Sequence, residues 1–270
     1  MKSEDTILYS NAANYNNGPE FMRNEVDMWH AGGSLLLQEI IRRQKRSGFG
    51  GLQSEIGFEY REKIKHISIL DVCSGPGNFP NYLSLYIPNI QVTGIDLNEK
   101  FLDYARQAYG HLGWRFIKAD ATILNLKKKF DFVTASSAYH HIPDEKKVQF
   151  LEKIASHLTK DGKIILCENF LPNHDTDART DAIHKYYSAL KNYYSQGNAT
   201  PKALELIEEV HQLELSGEEE HKVDFRKFQE HVRKVSLQIE VDRIIWQPEE
   251  FKEDNAGSHV LLLRKFASDS

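Results

Sequence analysis

The chain is poor in cysteine, with two in 270 residues. Two cysteines, Cys73 and Cys167, cannot build a disulfide framework, and both fall in strand-like contexts, which suits a reducing cytoplasm. Long apolar runs are absent. The run at 260–263 is far short of the ~18 residues of a membrane span. The first residues, Met1 to Asp5, lack the apolar segment of a signal peptide. There is no excess of positive charge. Thirty-four Lys and Arg against 39 Asp and Glu leave a net −5, a poor basis for phosphate-driven nucleic-acid binding. Twelve histidines are scattered without the HExxH spacing of a zinc-binding helix, so no metal site is expected. Internal repeats and low-complexity tracts are also missing. What remains is 40% apolar and 27% charged, the composition of an ordinary soluble globular chain.

The middle of the chain alternates short β-rich runs with helical patterns. Strands are predicted at 67–72, 90–95, 114–118, 130–135 and 163–168. Helices are predicted at 78–86, 98–109 and 144–158, the last stopped by a left-handed Gly162. Such alternation makes parallel βαβ units with helices on both faces. Beyond 170 the rhythm breaks into helices at 175–194, 201–215 and 224–235, then two strands at 237–246 and 259–266. The expected fold is therefore α/β: a doubly wound, mostly parallel seven-stranded sheet with a terminal antiparallel hairpin and a helical cap. The segments are an N-terminal helical lid at 1–60, with helices near 20–30 and 34–45 and a linker at 48–51, a core at 61–170, a cap insertion at 171–235, and terminal strands at 236–270.

An open sheet of this kind binds ligands at the carboxyl ends of its strands. Leu70-Asp71-Val72-Cys73-Ser74-Gly75-Pro76-Gly77 sits at the first such end. Glycines let the backbone approach a ligand, and the following helix offers unpaired N–H groups. Asp96 closes the second strand, 19 residues after Gly77, where an acid can accept both hydroxyls of a ribose. Asp120 closes the third strand, where a carboxylate can accept from an adenine amine; the alternative for each acid is a cap or turn residue.

These loops, with Tyr139-His140-His141-Ile142-Pro143-Asp144 after strand four, resemble the class I S-adenosylmethionine (SAM)-dependent methyltransferases over about 67–168. The resemblance implies SAM as cofactor. It implies that Asp71 orients the methionine amino group, with Ser74, Gly75 and Gly77 along the methionine part. Asp96 would hold the ribose, Leu97 would pack on the adenine, and Asp120 and Ala121 would meet its amine. Ser136 would lie near the methyl end, and Tyr15 would fold over the cofactor from the N-terminus, with Tyr9 behind it. Cys73 replaces the first glycine of the family's loop, which requires a wider turn or an ordinary φ there.

For the chemistry, His140 or His141 could serve as a general base, because histidine titrates near neutrality. Glu168, ending strand five, is a second candidate, with a loop-anchoring role as its alternative. Strand four lacks the Pro-Pro-Tyr motif of base N-methyltransferases, and there is no Pro-Cys nucleophile motif. The expected partner is a small-molecule acceptor methylated at oxygen or nitrogen, with nucleic acid disfavoured, no membrane, and a homodimer left open. Two other readings stand beside it: an enzyme similar to carboxy-SAM synthase, and a SAM-binding scaffold without catalysis. The run Glu218-Glu219-Glu220 reads as a solvated loop.

Overall fold

The computed structural model describes residues 23–46, 66–87, 89–197 and 199–266. A single seven-stranded sheet runs through them in the order β3-β2-β1-β4-β5-β7-β6. Its strands are β1 Ser68–Val72, β2 Gln91–Asp96, β3 Arg115–Lys118, β4 Phe130–Ser136, β5 Leu158–Phe170, β6 Leu237–Trp246 and β7 Gly257–Lys265. The first five pair in parallel, whereas β7 is antiparallel to both β5 and β6. The order reverses between β1 and β4, so the topological switch point lies at their carboxyl ends.

The helices are α1 Arg23–Arg46, α2 Asn78–Tyr86, α3 Glu99–Tyr109, α4 Lys147–Ser156, α5 Arg179–Gln196, α6 Pro201–Ser216 and α7 Phe225–Lys234. β1 and β4 are apolar on both faces, and each face meets its own core. One core joins Met28, Leu36, Phe79, Leu83 and Leu102 of α1–α3 to Ile69 and Phe132. The other joins Phe150 and Ile154 of α4 and Phe228 of α7 to Leu70 and Val133. A third cluster, with Tyr186, Tyr187 and Ile207 of α5 and α6 and Trp246 of β6, holds these two helices together at the end of β6. Asn98, Thr200 and Asp224 each accept a backbone N–H at the start of their helices, and Gly217 ends α6 at φ 65°.

Two local expectations are corrected. The first concerns α1, which is one helix where a break near 31–33 is expected. A Cβ on Gly33 would come within 2.5 Å of the Tyr86 ring. The glycines therefore admit α2 at close range rather than ending the helix. The second concerns Gly162, which lies inside β5 rather than stopping a helix. α4 ends at Ser156, and Leu158 already pairs with Phe130 across a register shift. Tyr9, Tyr15 and the 48–51 linker lie outside the described residues.

Candidate functional site

At the switch point the structure encloses a cavity of about 350 Å³. The loop after β1 forms one wall. Gly75 and Gly77 take φ values of 53° and 87°, conformations an L side chain rarely adopts. Gly77 leads directly into α2. Ser74 Oγ, buried in this wall, has no well-formed hydrogen-bond partner among the described residues. Asp71 lies beneath, its Oδ1 accepting from the Thr134 hydroxyl at 2.6 Å. Burial pushes its carboxyl up to about 7, and the Ser74 and Thr134 hydroxyls beside it offset only part of that.

Cys73 corrects the expectation of an ordinary φ: it sits at φ 51°, in the left-handed region. Burial and the surrounding carboxylates Asp96 and Asp71 push its thiol well up, so it stays protonated and is a poor nucleophile. Left-handed strain costs about 1–2 kcal/mol, against roughly 0.5–1 kcal/mol of extra unfolded-state freedom for glycine. Cys73→Gly is therefore expected to raise stability by up to about 1 kcal/mol, and the β-branched Cys73→Val to lower it. Urea midpoints decide this; a Gly variant as weakened as the Val variant would remove strain as the explanation.

Asp96 forms the second wall. Its Oδ2 accepts from Gly75 N and its Oδ1 from Asn98 N, each at 2.8 Å. One carboxylate thus ties the glycine loop to the start of α3 and still faces the cavity beside Leu97. Burial raises its pKa, and these backbone donors pull it back. Asp120 holds a turn instead: its Oδ1 accepts from both the backbone and the hydroxyl of Thr122 at 2.7 Å. Neither Asp120 nor Ala121 lines this cavity.

The far wall comes from β4 and α1. Ser136 Oγ accepts from the Trp29 indole at 2.8 Å, which brings the first turns of α1 over the end of β4. Trp29 and Glu25, one helical turn apart, both line the cavity. So does His141, whereas its neighbour His140 does not. The two histidines lie in a 3-10 turn over Tyr139–His141 with their ring centroids 4.3 Å apart, so that one ring is buried behind the other, which faces the cavity. His140 is buried, with Nδ1 bonded to Glu168 Oε1. Burial, then Lys222, holds its pKa well below the ordinary value, so the ring is neutral. Glu168 is itself fully buried and does not line the cavity. Its Oε2 accepts from Tyr139 N at 2.9 Å and His140 N at 3.3 Å, which anchors the turn. Burial raises its pKa, offset in part by the Asn169 N–H.

His141 Nδ1 lies 3.1 Å from the Glu219 carbonyl and 3.6 Å from Glu220 Oε1. Both partners can only accept, so Nδ1 carries the proton in the neutral ring and Nε2 is the basic nitrogen.

The glutamate run departs from the solvated-loop expectation at its last residue: Glu218 is exposed and Glu219 half-buried, both at the cavity rim, whereas Glu220 is 1% exposed. His140, His141 and Glu220 bring ligand-type atoms within 4.8 Å of one another. The Lys222 ammonium already sits on Glu220 Oε2, where a metal cation would bind. Burial opposes ionisation of Glu220, but Lys222, His140 and His141 outweigh it and bring its pKa to about 2. Sequence reasoning missed Glu25, Asn78, Phe79, Phe101, Ser137, Glu218 and Glu219 as wall residues. Asn78 and Ser137 are next to recognised motif residues and could have been found by adjacency; the others carry no local signal.

Residues 69–162 match the methyltransferase-domain family. The malonyl-[acyl-carrier protein] O-methyltransferase of Legionella pneumophila is 32% identical over 96 residues, covering 33% of this chain and 34% of that protein. The demethylmenaquinone methyltransferase of Thermotoga maritima is 27% identical over 120 residues, covering 44% and 50%. The matched stretches thus span half or less of these relatives' length. Among solved structures, the PH0226 protein of Pyrococcus horikoshii superimposes with a TM-score of 0.51 at 16% identity, over 78% of this chain and 92% of that one, a likeness of fold.

Proposed function

We infer the function from one premise: residues 69–162 are a methyltransferase domain, in the sheet of the class I SAM-dependent methyltransferases. The chain binds SAM and catalyses transfer of its methyl group to a small-molecule acceptor, at oxygen or nitrogen. The observation that carries this reading is the single cavity in which the glycine loop, Asp71 and Asp96 face Ser136, Trp29 and His141.

The residues fit the cofactor. The positive-φ turn leaves room for backbone contact, since a Cβ on Gly75 would meet nothing within 4 Å. Ser74 supplies a buried hydroxyl beside Asp71, and Asp71 supplies a carboxylate for the methionine ammonium. Asp96 would take the ribose hydroxyls, with Leu97 and Phe101 beside the base. Bound there, SAM supplies a methyl group already activated on a sulfonium. The protein's task is then proximity and orientation, exclusion of water, and a place for the acceptor's proton. His141 Nε2 is the nitrogen that takes it.

Asp96→Ala tests the cofactor half of this reading. Hydrogen bonds to charged groups are worth about 1.5–3 kcal/mol, so SAM affinity is expected to fall about 10- to 100-fold. Calorimetry with SAM, on protein whose melting transition is intact, measures it. An unchanged dissociation constant would leave Asp96 as a loop tether and nothing more. Release of S-adenosylhomocysteine in the presence of small-molecule acceptors tests the activity itself.

A further inference from the structure

We propose that the sheet edge opposite the cavity is a docking face for an anionic membrane surface, formed by lysines without carboxylate partners around the exposed Phe266. The strand register places segments distant in the chain on this one edge. Phe130 pairs with Leu158 where β4 and β5 begin. Lys163 of β5 pairs with Arg264, and Leu237 at the start of β6 pairs with Lys265 at the end of β7. Lys127, Lys128 and Lys129 run directly into β4, and Lys160 lies near the start of β5; all four are exposed. Contacts tie the segments together. Lys129 Nζ donates to the Ser156 carbonyl, Lys265 Nζ to the Leu158 carbonyl at 3.4 Å, and the Phe266 N–H to the Ser236 carbonyl at 2.9 Å. Lys129 is close enough to Lys265 to join burial in lowering the pKa of that amine.

The charge on this edge is unbalanced. None of these five lysines forms an ion pair among the described residues, and neither do Lys153 on the last turn of α4 or Arg233 and Lys234 on the last turn of α7. The last three, with Lys129 on the Ser156 carbonyl, answer the negative ends of two helix dipoles. Lys127, Lys128, Lys160 and Lys265 lie at no helix end. Against the eight cations stand three exposed acids, Glu152, Glu230 and Asp161. Nearby cations are treated differently: Arg42 and Lys163 are both matched by Glu39 and Glu240. A chain of formal net charge −5 thus gathers positive charge on one edge. Like charges held this close repel one another at a cost to the compact state. Nothing in the described chain offsets that cost, and an anionic partner would.

The kind of charge selects the partner. Seven of the eight cations are lysine. Lysine is a compact charge without the planar fork by which arginine reads phosphates in pairs. It suits a diffuse anionic surface more than the ordered phosphates of a nucleic acid. Phe266, 52% exposed, sits beside Lys265 at the same edge. One ring offers no series of stacking platforms for bases, but it can enter the headgroup layer while the lysines meet acidic lipids. No helix among the described residues is long and apolar enough to cross a membrane, so the contact is with the leaflet surface. The cavity lies at the carboxyl ends of the strands, and docking by the amino ends of β4 and β5 leaves it open.

The test is cosedimentation of the full chain with vesicles of phosphatidylcholine alone, or of phosphatidylcholine with about 30% phosphatidylglycerol. Binding to the anionic vesicles is expected to be tighter by about tenfold or more, because each lysine near an acidic leaflet adds to the attraction. Salt at about 1 M, which screens charges beyond ~3 Å, should release the chain. Lys127→Glu/Lys128→Glu is expected to weaken binding by about tenfold or more, and Phe266→Ser by about threefold. Lys185→Glu/Lys252→Glu changes the net charge equally on α5 and after β6, and should weaken binding less than about twofold. All five side chains are exposed, and melting curves check that each variant folds. Equal binding to neutral and anionic vesicles, binding to neither, or equal losses in the two double variants would each overturn the proposal. Tighter binding of a single-stranded oligonucleotide or of polyglutamate than of the anionic vesicles would overturn the choice of a membrane. SAM does not enter the readout, so the result stands apart from the methyltransferase reading.

Discussion

His141→Gln is expected to lower the turnover number by about 10²- to 10⁴-fold, the usual scale of general base catalysis. SAM affinity should stay within about threefold. The ring lines the cavity and its tautomer is fixed from behind: the Glu219 carbonyl takes the Nδ1 proton, which leaves Nε2 basic. Glutamine fills similar space but cannot accept and hold a proton. His140→Gln should behave differently. It leaves Glu168 fully buried without its imidazole partner, in the turn that Glu168 anchors. The loss there is one of stability, about 1–3 kcal/mol, and turnover per folded molecule should be much less affected. Initial rates at saturating SAM, with melting curves on the same preparations, separate the two. Turnover surviving within about threefold in His141→Gln would remove base catalysis, and proximity would carry the reaction alone.

The contrast between these neighbours shows where sequence reading reaches and where it stops. The mostly parallel sheet and its terminal hairpin were legible because apolar runs and turn residues repeat along the chain, whereas the spatial order of the strands was not. That Asp71, Gly75 and Asp96 line the cavity was legible because each sits at or just after a strand end, where the fold puts a ligand. His140 and His141 were legible as a pair but not as two different environments, because that depends on the 3-10 turn and on Glu168 arriving from β5. The glutamate run was misleading for a related reason. Three consecutive acids look solvated, yet Glu220 is buried because Lys222 two residues on, and His140 and His141 from the loop after β4, converge on it. The Gly32-Gly33 pair reads as a helix breaker until the Tyr86 ring that fills the gap is known. Cys73 carries the opposite lesson. A non-glycine residue adopts the left-handed turn because the loop around it, pinned by Asp96, leaves no other path.

Lys222→Met is expected to be the most destabilising single change in the described part of the chain, by about 3–5 kcal/mol. Lys222 is 5% exposed and bridges Glu214 and Glu220, both buried. Glu214 would keep Arg179, but Glu220 would lose its ammonium and retain only the two histidines nearby. The pH dependence identifies the cause. In the native protein Glu220 titrates at about 2, below its unfolded value of ~4.3. It therefore contributes stability above pH ~4.3 and loses it as pH falls toward 2. Without Lys222, burial acts unopposed by the ammonium and raises the folded pKa above the unfolded one. The sign then reverses: the variant's deficit should be small near pH 4 and grow as pH rises toward neutrality. Urea unfolding at pH 5 and pH 7.5 measures this, and adding Glu220→Gln should restore most of the loss at the higher pH by removing the stranded charge. A deficit of equal size at both pH values, unrelieved by Glu220→Gln, would mean that Lys222 acts through the packing of its buried stem and not through its charge.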